Sequence, residues 1–250
     1  MEAVGRQSAR PAQIGKAPVD VALGRRFAAV WRAFRAAALE DDGRGQPPEW
    51  AFTAGVQLSA IARIEGQPDL LEVLQRVQAR LGPQAGLLLH PPQFLHLTVR
   101  MFGVGLSACQ EGCDVRDYAG RLVSSREIDV ALRQLLQGRP AFSVELRGVN
   151  AWPSAPFVQA FDAGMVTEIR AGIAAALPQL VDREYAGGFV PHLTLGYVCP
   201  GARLRDLAAS IAPLRTLRVG EMHVRAIELV WGRGGTPHPE LTAISRYVLT

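Results

Sequence analysis

Hydrophobic positions along this chain switch repeatedly between helical and extended spacing. Between Val21 and Leu39, Phe27, Val30, Trp31, Phe34 and Ala38 recur at helical intervals opposite Arg25, Arg32 and Arg35, which predicts an amphipathic helix. Basic faces of this kind meet RNA or membranes in some proteins, but docking on the domain's own surface is the favoured reading. Residues 1 to 20 mix Ala, Gly, Pro and Gln without periodicity and read as a flexible tail, and Asp41 to Pro48 reads as a linker. A strand near Gly55 to Ile64 follows, then a helix from Asp69 to Leu81 closed by Gly82-Pro83.

The second part of the pattern resembles the first. A strand from Phe94 to Val104 leads through a polar loop, Gly105 to Ala119, to a helix opened by the capping box of Ser124 and Glu127 and running to Leu136. Strands near Phe142 to Val149 and Phe157 to Phe161 and a helix from Met165 to Leu177 come next. Gly187-Gly188 introduces another strand, Phe189 to Val198, before a helix near Leu204 to Leu214 and closing strands near Leu217 to Trp231 and Leu241 to Leu249. Strands and helices in comparable amounts, repeated once, predict an α+β domain of two similar lobes.

Chemistry enters through a tripeptide that occurs in both parts, His96-Leu97-Thr98 and His192-Leu193-Thr194. Residues two apart on a strand share a face, so each copy presents an imidazole beside a hydroxyl. The same alternation predicts that Arg100 joins His96 and Thr98 on that face while Leu95, Leu97 and Val99 fill the other. The position matching Arg100 in the second copy is Gly196, which would leave room for a bulky substrate group. Two imidazoles titrating near neutrality can act as acid and base together, and hydroxyls with a guanidinium can hold phosphate oxygens. A phosphodiester suits that set.

Composition narrows the setting. The chain has 250 residues, 48% of them hydrophobic, enough for one large domain or two fused lobes. Its net charge of +4 comes almost wholly from arginine, which permits a phosphate-bearing partner without requiring one. No apolar run is long enough to cross a membrane, and no secretory leader is read at the N-terminus, so a cytoplasmic protein without a membrane partner is expected. Three cysteines are too few for a disulfide framework. Cys109 and Cys113, with Glu111 and Asp114 nearby, lack a second ligand pair, so no metal and no cofactor is expected. His90, His223 and His238 have no partner motif and read as surface or structural groups, while Ser107, Trp152, Phe157 and Tyr197 could line a cleft or pack in the core.

The segments Pro91-Pro92-Gln93-Phe94-Leu95-His96-Leu97-Thr98-Val99-Arg100-Met101-Phe102-Gly103 and Phe189-Val190-Pro191-His192-Leu193-Thr194-Leu195 resemble the paired signatures of the two-histidine (2H) phosphoesterase superfamily. Their branch resembles the bacterial 2'-5' RNA ligase and RNA 2',3'-cyclic phosphodiesterase group. The resemblance covers residues 51 to 250 and leaves residues 1 to 50 as an extension. It implies a bilobal α+β fold, two antiparallel sheets flanking a central cleft with helices outside. It further implies that His96 donates a proton to the leaving ribose oxygen, that His192 activates water, and that Thr98 and Thr194 bind phosphate. Arg100 matches an arginine often found after the first motif.

The expected activity is metal-independent hydrolysis of a 2',3'-cyclic phosphate on RNA or a nucleotide to a 2'-phosphate, by a monomer, with reversible 2'-5' RNA ligation as a related reaction. ADP-ribose cyclic phosphate and 2'-5' oligonucleotides are further substrates the motifs would accept. An RNA-binding module without turnover is the competing reading, and the pair of intact imidazoles argues against it.

Overall fold

A computed structural model describes residues 16–40, 44–46, 56–81, 86–105, 114–117, 119–180, 188–233, 238 and 240–250. Ser107, Cys109, Cys113 and most of the N-terminal tail lie outside them. Helix α1 spans Lys16–Leu39, and β1, Val56–Arg63, leads to α2, Pro68–Leu81. The first motif begins β3, His96–Gly105, after the short β2, Leu87–Leu89. The hairpin of β4, Asp114–Arg116, and β5, Leu122–Ser124, precedes α3, Ser125–Leu136, whose first turn is capped by the Ser124 hydroxyl accepting from the Arg126 amide. Long strands β6, Phe142–Trp152, and β7, Ala155–Phe161, are followed by α4, Met165–Ala176. The second motif is the whole of β8, His192–Thr194, and β9, Gly196–Val198, comes directly after it. Helix α5, Leu204–Ile211, and strands β10, Arg218–Val224, β11, Ala226–Arg233, and β12, Leu241–Val248, complete the chain.

The strands form one antiparallel sheet in the order β10-β6-β7-β8-β3-β1-β11-β12, with β4 and β5 beside β3 and a separate β2-β9 ribbon. The two lobes meet where β8 pairs with β3, so their sheets run on as one across the seam. The helices are interleaved between lobes. Helix α2 follows β1 in sequence yet packs on β10, whereas α3 packs on β12 and α4 against β3. Leu95, which leads into β3, Leu97 and Val99 of β3 and Leu193 of β8 enter the same large core as Leu74, Ile128 and Ile173 from those helices. Burial of that alternating apolar set turns the intervening polar positions to the opposite face of the sheet.

Helix α1 docks on this second face, over β6 and β7. Leu23 and Phe27 are buried against Phe157, Phe161 and Val190, with the Phe27 and Phe161 rings 5.2 Å apart. The fully buried Asn150 donates from its side-chain amide to the Phe27 carbonyl at 2.9 Å, and the Arg215 guanidinium lies 4.7 Å from the Trp31 ring centroid. The amphipathic helix read from the sequence therefore spends its apolar face on the domain itself. No helix among the described residues is long and apolar enough to cross a membrane.

Candidate active site

The site starts from one pair of leucines. Leu97 and Leu193 face each other in the antiparallel β3-β8 ladder. Stepping one residue each way, that register sets His96 opposite Thr194 and Thr98 opposite His192. Directly opposed residues on antiparallel strands have Cβ atoms about 4.5–5.5 Å apart, so both imidazoles and both hydroxyls crowd one patch. All four side chains line a cleft of about 740 Å³ on the face away from the helical layer. The two motifs are thus neighbours within one sheet, related by a local two-fold through the leucine pair.

Each histidine is held in the same way. His96 Nδ1 lies 2.7 Å from the Phe94 carbonyl, and His192 Nδ1 lies 2.8 Å from the Val190 carbonyl, in both cases two residues back along the chain. A carbonyl only accepts, so Nδ1 carries the proton and Nε2 is left with its lone pair for the cleft. Aromatic rings brace the imidazoles edge-on: Trp152 at 4.6 Å and Phe157 at 5.3 Å from His192, and Phe94 at 5.5 Å from His96. Burial among these rings depresses the pKa of His96 to about 4, helped by the nearby Arg63 and His192 and opposed by the Phe94 carbonyl. Burial likewise lowers His192 to about 4, with Arg170 acting in the same direction and the Val190 carbonyl against it. Unliganded, both rings are neutral at pH 7 and both are poised as bases.

Arg100 does not share this patch, contrary to the alternation read from the sequence. Opposite β1, Thr98 pairs with Ile61 but Arg100 with Ala60, so Val99 is an extra residue and the pleat slips by one. The bulge returns Met101, rather than Arg100, to the cleft beside Ser59. Arg100 is buried on the helical side, where its guanidinium donates to the Leu180 carbonyl at 3.2 Å. Gly196 is also not an opening for substrate. It pairs with Leu89 in the β2-β9 ribbon, and a Cβ there would stand 2.5 Å from the Leu88 carbonyl oxygen, so its missing side chain accommodates neighbouring backbone.

Other cleft residues come from positions with no motif. His90, expected to be surface or structural, is buried but lines the cleft, with its ring 4.5 Å from Tyr197, 4.7 Å from Phe94 and 5.2 Å from His238. Burial lowers its pKa well below the usual histidine value, with His96 and His238 adding to the effect. Its alternation with apolar residues, Leu89-His90-Pro91, carries no signal that separates lining from packing. Trp152 and Tyr197 do line the cleft, whereas Phe157 is buried beneath it as a support for His192 and Phe27. His223 lies elsewhere, its Nδ1 2.9 Å from the Ser143 hydroxyl. The fourth wall is α1, through Arg26, Ala29, Val30, Ala33 and Phe34. Among the described residues no three His, Cys, Asp or Glu side chains come together as a metal site.

A two-lobed α+β sheet carrying a matched pair of histidines in one cleft defines a two-histidine phosphoesterase. The family model of the 2'-5' RNA ligase superfamily matches residues 65–236, and the chain belongs to that family of enzymes. The RNA 2',3'-cyclic phosphodiesterase of Methanothermobacter thermautotrophicus is 27% identical over 183 residues, which span 70% of this chain and 89% of the relative. Among solved structures, a Thermus thermophilus protein superposes with a TM-score of 0.57 at 19% identity, covering 77% of this chain and 97% of its own. LigT of E. coli complexed with 3'-AMP gives 0.53 at 17% identity, covering 78% of this chain and 99% of its own. These structural likenesses concern the fold.

Proposed function

We propose that the protein opens 2',3'-cyclic phosphates at RNA ends or on nucleotides, leaving a 2'-phosphate, with two histidines and no metal ion. The observation that carries this reading is the antiparallel pairing of the two His-Leu-Thr tripeptides, with each Nδ1 tied to the carbonyl two residues before it. The membership of the chain in the 2'-5' RNA ligase superfamily and the name of its archaeal relative support it.

In this reading His192 Nε2 removes a proton from water as the water oxygen bonds to phosphorus. His96, protonated at Nε2, hands its proton to the departing ribose 3'-oxygen as the P–O3' bond breaks. The Thr98 and Thr194 hydroxyls donate to the non-bridging oxygens, whose charge builds in the transition state. Afterwards the two imidazoles have exchanged protonation states and re-equilibrate with solvent. The histidine bonded to Phe94 sits with a pKa of about 4 when the site is empty, so about one molecule in a thousand carries that proton at pH 7. The anionic cyclic phosphate raises that fraction by stabilising the imidazolium, so substrate binding itself arms the acid. Replacing water with a ribose 5'-hydroxyl as nucleophile turns the same steps into formation of a 2'-5' linkage.

The test is a set of 2',3'-cyclic mononucleotides, cyclic-ended RNA, ADP-ribose cyclic phosphate and 2'-5' linked dinucleotides, with products read by ³¹P NMR. A 2'-phosphate from cyclic-ended RNA or cyclic nucleotides, formed equally with and without EDTA, is the expected result. A 3'-phosphate, or no turnover of any cyclic phosphate, contradicts the reading.

A further inference from the structure

The cleft holds a cation that the motifs do not announce. Among the described residues lining it, Arg26 of α1 is the only arginine or lysine. Arg63 is held outside the cleft lining by Glu228 at 2.7 Å and the Leu241 carbonyl at 2.7 Å, and Arg170 by the Val99 carbonyl at 2.7 Å. With both catalytic candidates neutral in the empty site, Arg26 is the one permanent positive charge on the described lining itself, while Arg63 and Arg170 act on the two imidazoles from outside that lining.

Its placement is built into α1. Arg26, Ala29, Val30 and Ala33 recur at i, i+3, i+4 and i+7 and form the cleft-facing flank of the helix. Two alanines on that flank leave space beneath the guanidinium. The adjacent flank is anchored by Leu23, Phe27 and the Asn150 bond, so the wall is fixed in place. The guanidinium reaches the rim of the cleft at Gly188-Phe189, where one Nη donates to the Phe189 carbonyl at 3.4 Å. A weak bond to one of five donors leaves the rest of the fork for a ligand. Gly188, at φ +84°, adopts a left-handed turn there, and a Cβ on it would come within 3.7 Å of the Arg26 guanidinium.

We infer that Arg26 is a specificity-determining residue that binds the phosphate next to the cyclic one, and so selects RNA ends over mononucleotides. This rests on the phosphodiesterase reading above. The reacting phosphate belongs on the strand floor among His96, Thr98, His192 and Thr194, whereas Arg26 stands at the rim beside Phe189, which precedes His192 by three residues. A mononucleotide cyclic phosphate has no group to place there. A chain one nucleotide longer brings its internucleotide phosphate toward that rim, where a planar guanidinium forms paired charge-assisted bonds. Helix α1 lies outside the family-matched residues 65–236.

The test compares Arg26→Ala, Arg26→Lys and the control Arg35→Ala, an exposed α1 arginine away from the cleft, on 2',3'-cyclic CMP and on a dinucleotide ending in a 2',3'-cyclic phosphate. Arg26→Ala is expected to raise KM for the dinucleotide by about 10- to 100-fold, the worth of a charged hydrogen bond, with kcat changed much less. Its KM for cyclic CMP should move by less than about 3-fold on the same scale. Arg26→Lys should recover part of the loss, and Arg35→Ala should behave as the unaltered protein. An equal change for both substrates, or no change for either, overturns the inference. If the unaltered protein turns over neither substrate, the phosphodiesterase reading fails. Calorimetric affinity for a dinucleotide 2'-phosphate then decides Arg26 on its own: a tighter fit than for 2'-CMP that Arg26→Ala abolishes supports it, and no difference overturns it.

Discussion

Leu97 and Leu193 pair across the seam between the lobes, and the juxtaposition of the four motif side chains follows from that single register. Slipping β8 by one residue against β3, which β1 holds in place, would send Leu193 to the cleft and turn His192 and Thr194 into the apolar core. The alternation of apolar and polar residues in the tripeptides therefore specifies the alignment of the strands as well as their faces.

A depressed histidine pKa makes opposite predictions for the free and bound enzyme. The productive free form needs one protonated and one neutral imidazole. With both groups titrating at about 4 when empty, that form declines tenfold per pH unit above the acid range. Bound anionic phosphate raises the proton donor's pKa, so the basic limb of kcat should lie at higher pH than that of kcat/KM. Steady-state profiles from pH 4 to 9 check this, and coincident basic limbs for the two parameters would contradict it.

The same groups tie stability to pH. Their folded pKa of about 4 lies below the unfolded histidine value near 6.5, so the unfolded chain binds more protons between those limits. Stability is therefore highest above about pH 6.5 and is lost as pH falls toward 4, by at most roughly 3 kcal/mol per ring before solvent screening. Urea midpoints at pH 7, 6 and 5 should fall in the unaltered protein and fall less in a His96→Asn/His192→Asn double variant. Parallel slopes in the two proteins would show that other groups set the acid sensitivity.

The placement of α1 predicts a stability cost for its anchor. Phe27 is buried against Phe157 and Phe161, so Phe27→Ala should destabilise the protein by about 3–5 kcal/mol. A change below about 1 kcal/mol in denaturant unfolding would mean that α1 contributes little to the folded domain.

How far the chain's chemistry can be read without its structure divides along physical lines. The motif strands, the capped α3 and the apolar face of α1 rest on local periodicity, and the structure forms elements at each of those places. Arg100 and Met101 exchange faces because of a bulge opposite Ala60 and Ile61, and a bulge belongs to a pair of strands, so one strand's residues do not reveal it. His90 and Arg26 reach the cleft through tertiary placement, His90 beside Tyr197 and Phe94, Arg26 by the docking of its helix at the Gly188-Phe189 rim, with 163 positions between Arg26 and Phe189. The interleaving of α2 and α4 between lobes is hidden for the same reason: it depends on which sheet half each helix finds.

Gly196 is closed in by the backbone of β2. Gly196→Ala places a methyl 2.5 Å from the Leu88 carbonyl and 2.9 Å from the Leu89 Cα, so it should lower stability by about 1–3 kcal/mol through overpacking of backbone. Were the glycine instead a gap in the cleft wall, the alanine variant would keep its stability and show only a raised KM.

The division of labour between the two imidazoles is tested most directly by leaving-group rescue. On a 2',3'-cyclic phosphate, His96→Ala and His192→Ala should each lower kcat by on the order of 10²- to 10⁴-fold, and the double variant by little more than the worse single one. On a phosphodiester whose leaving group is p-nitrophenolate, which departs without a proton, His96→Ala should recover most of its loss while His192→Ala should not. Undiminished cyclic-phosphate turnover in the double variant, or equal deficits of the two single variants on both substrates, would contradict the account.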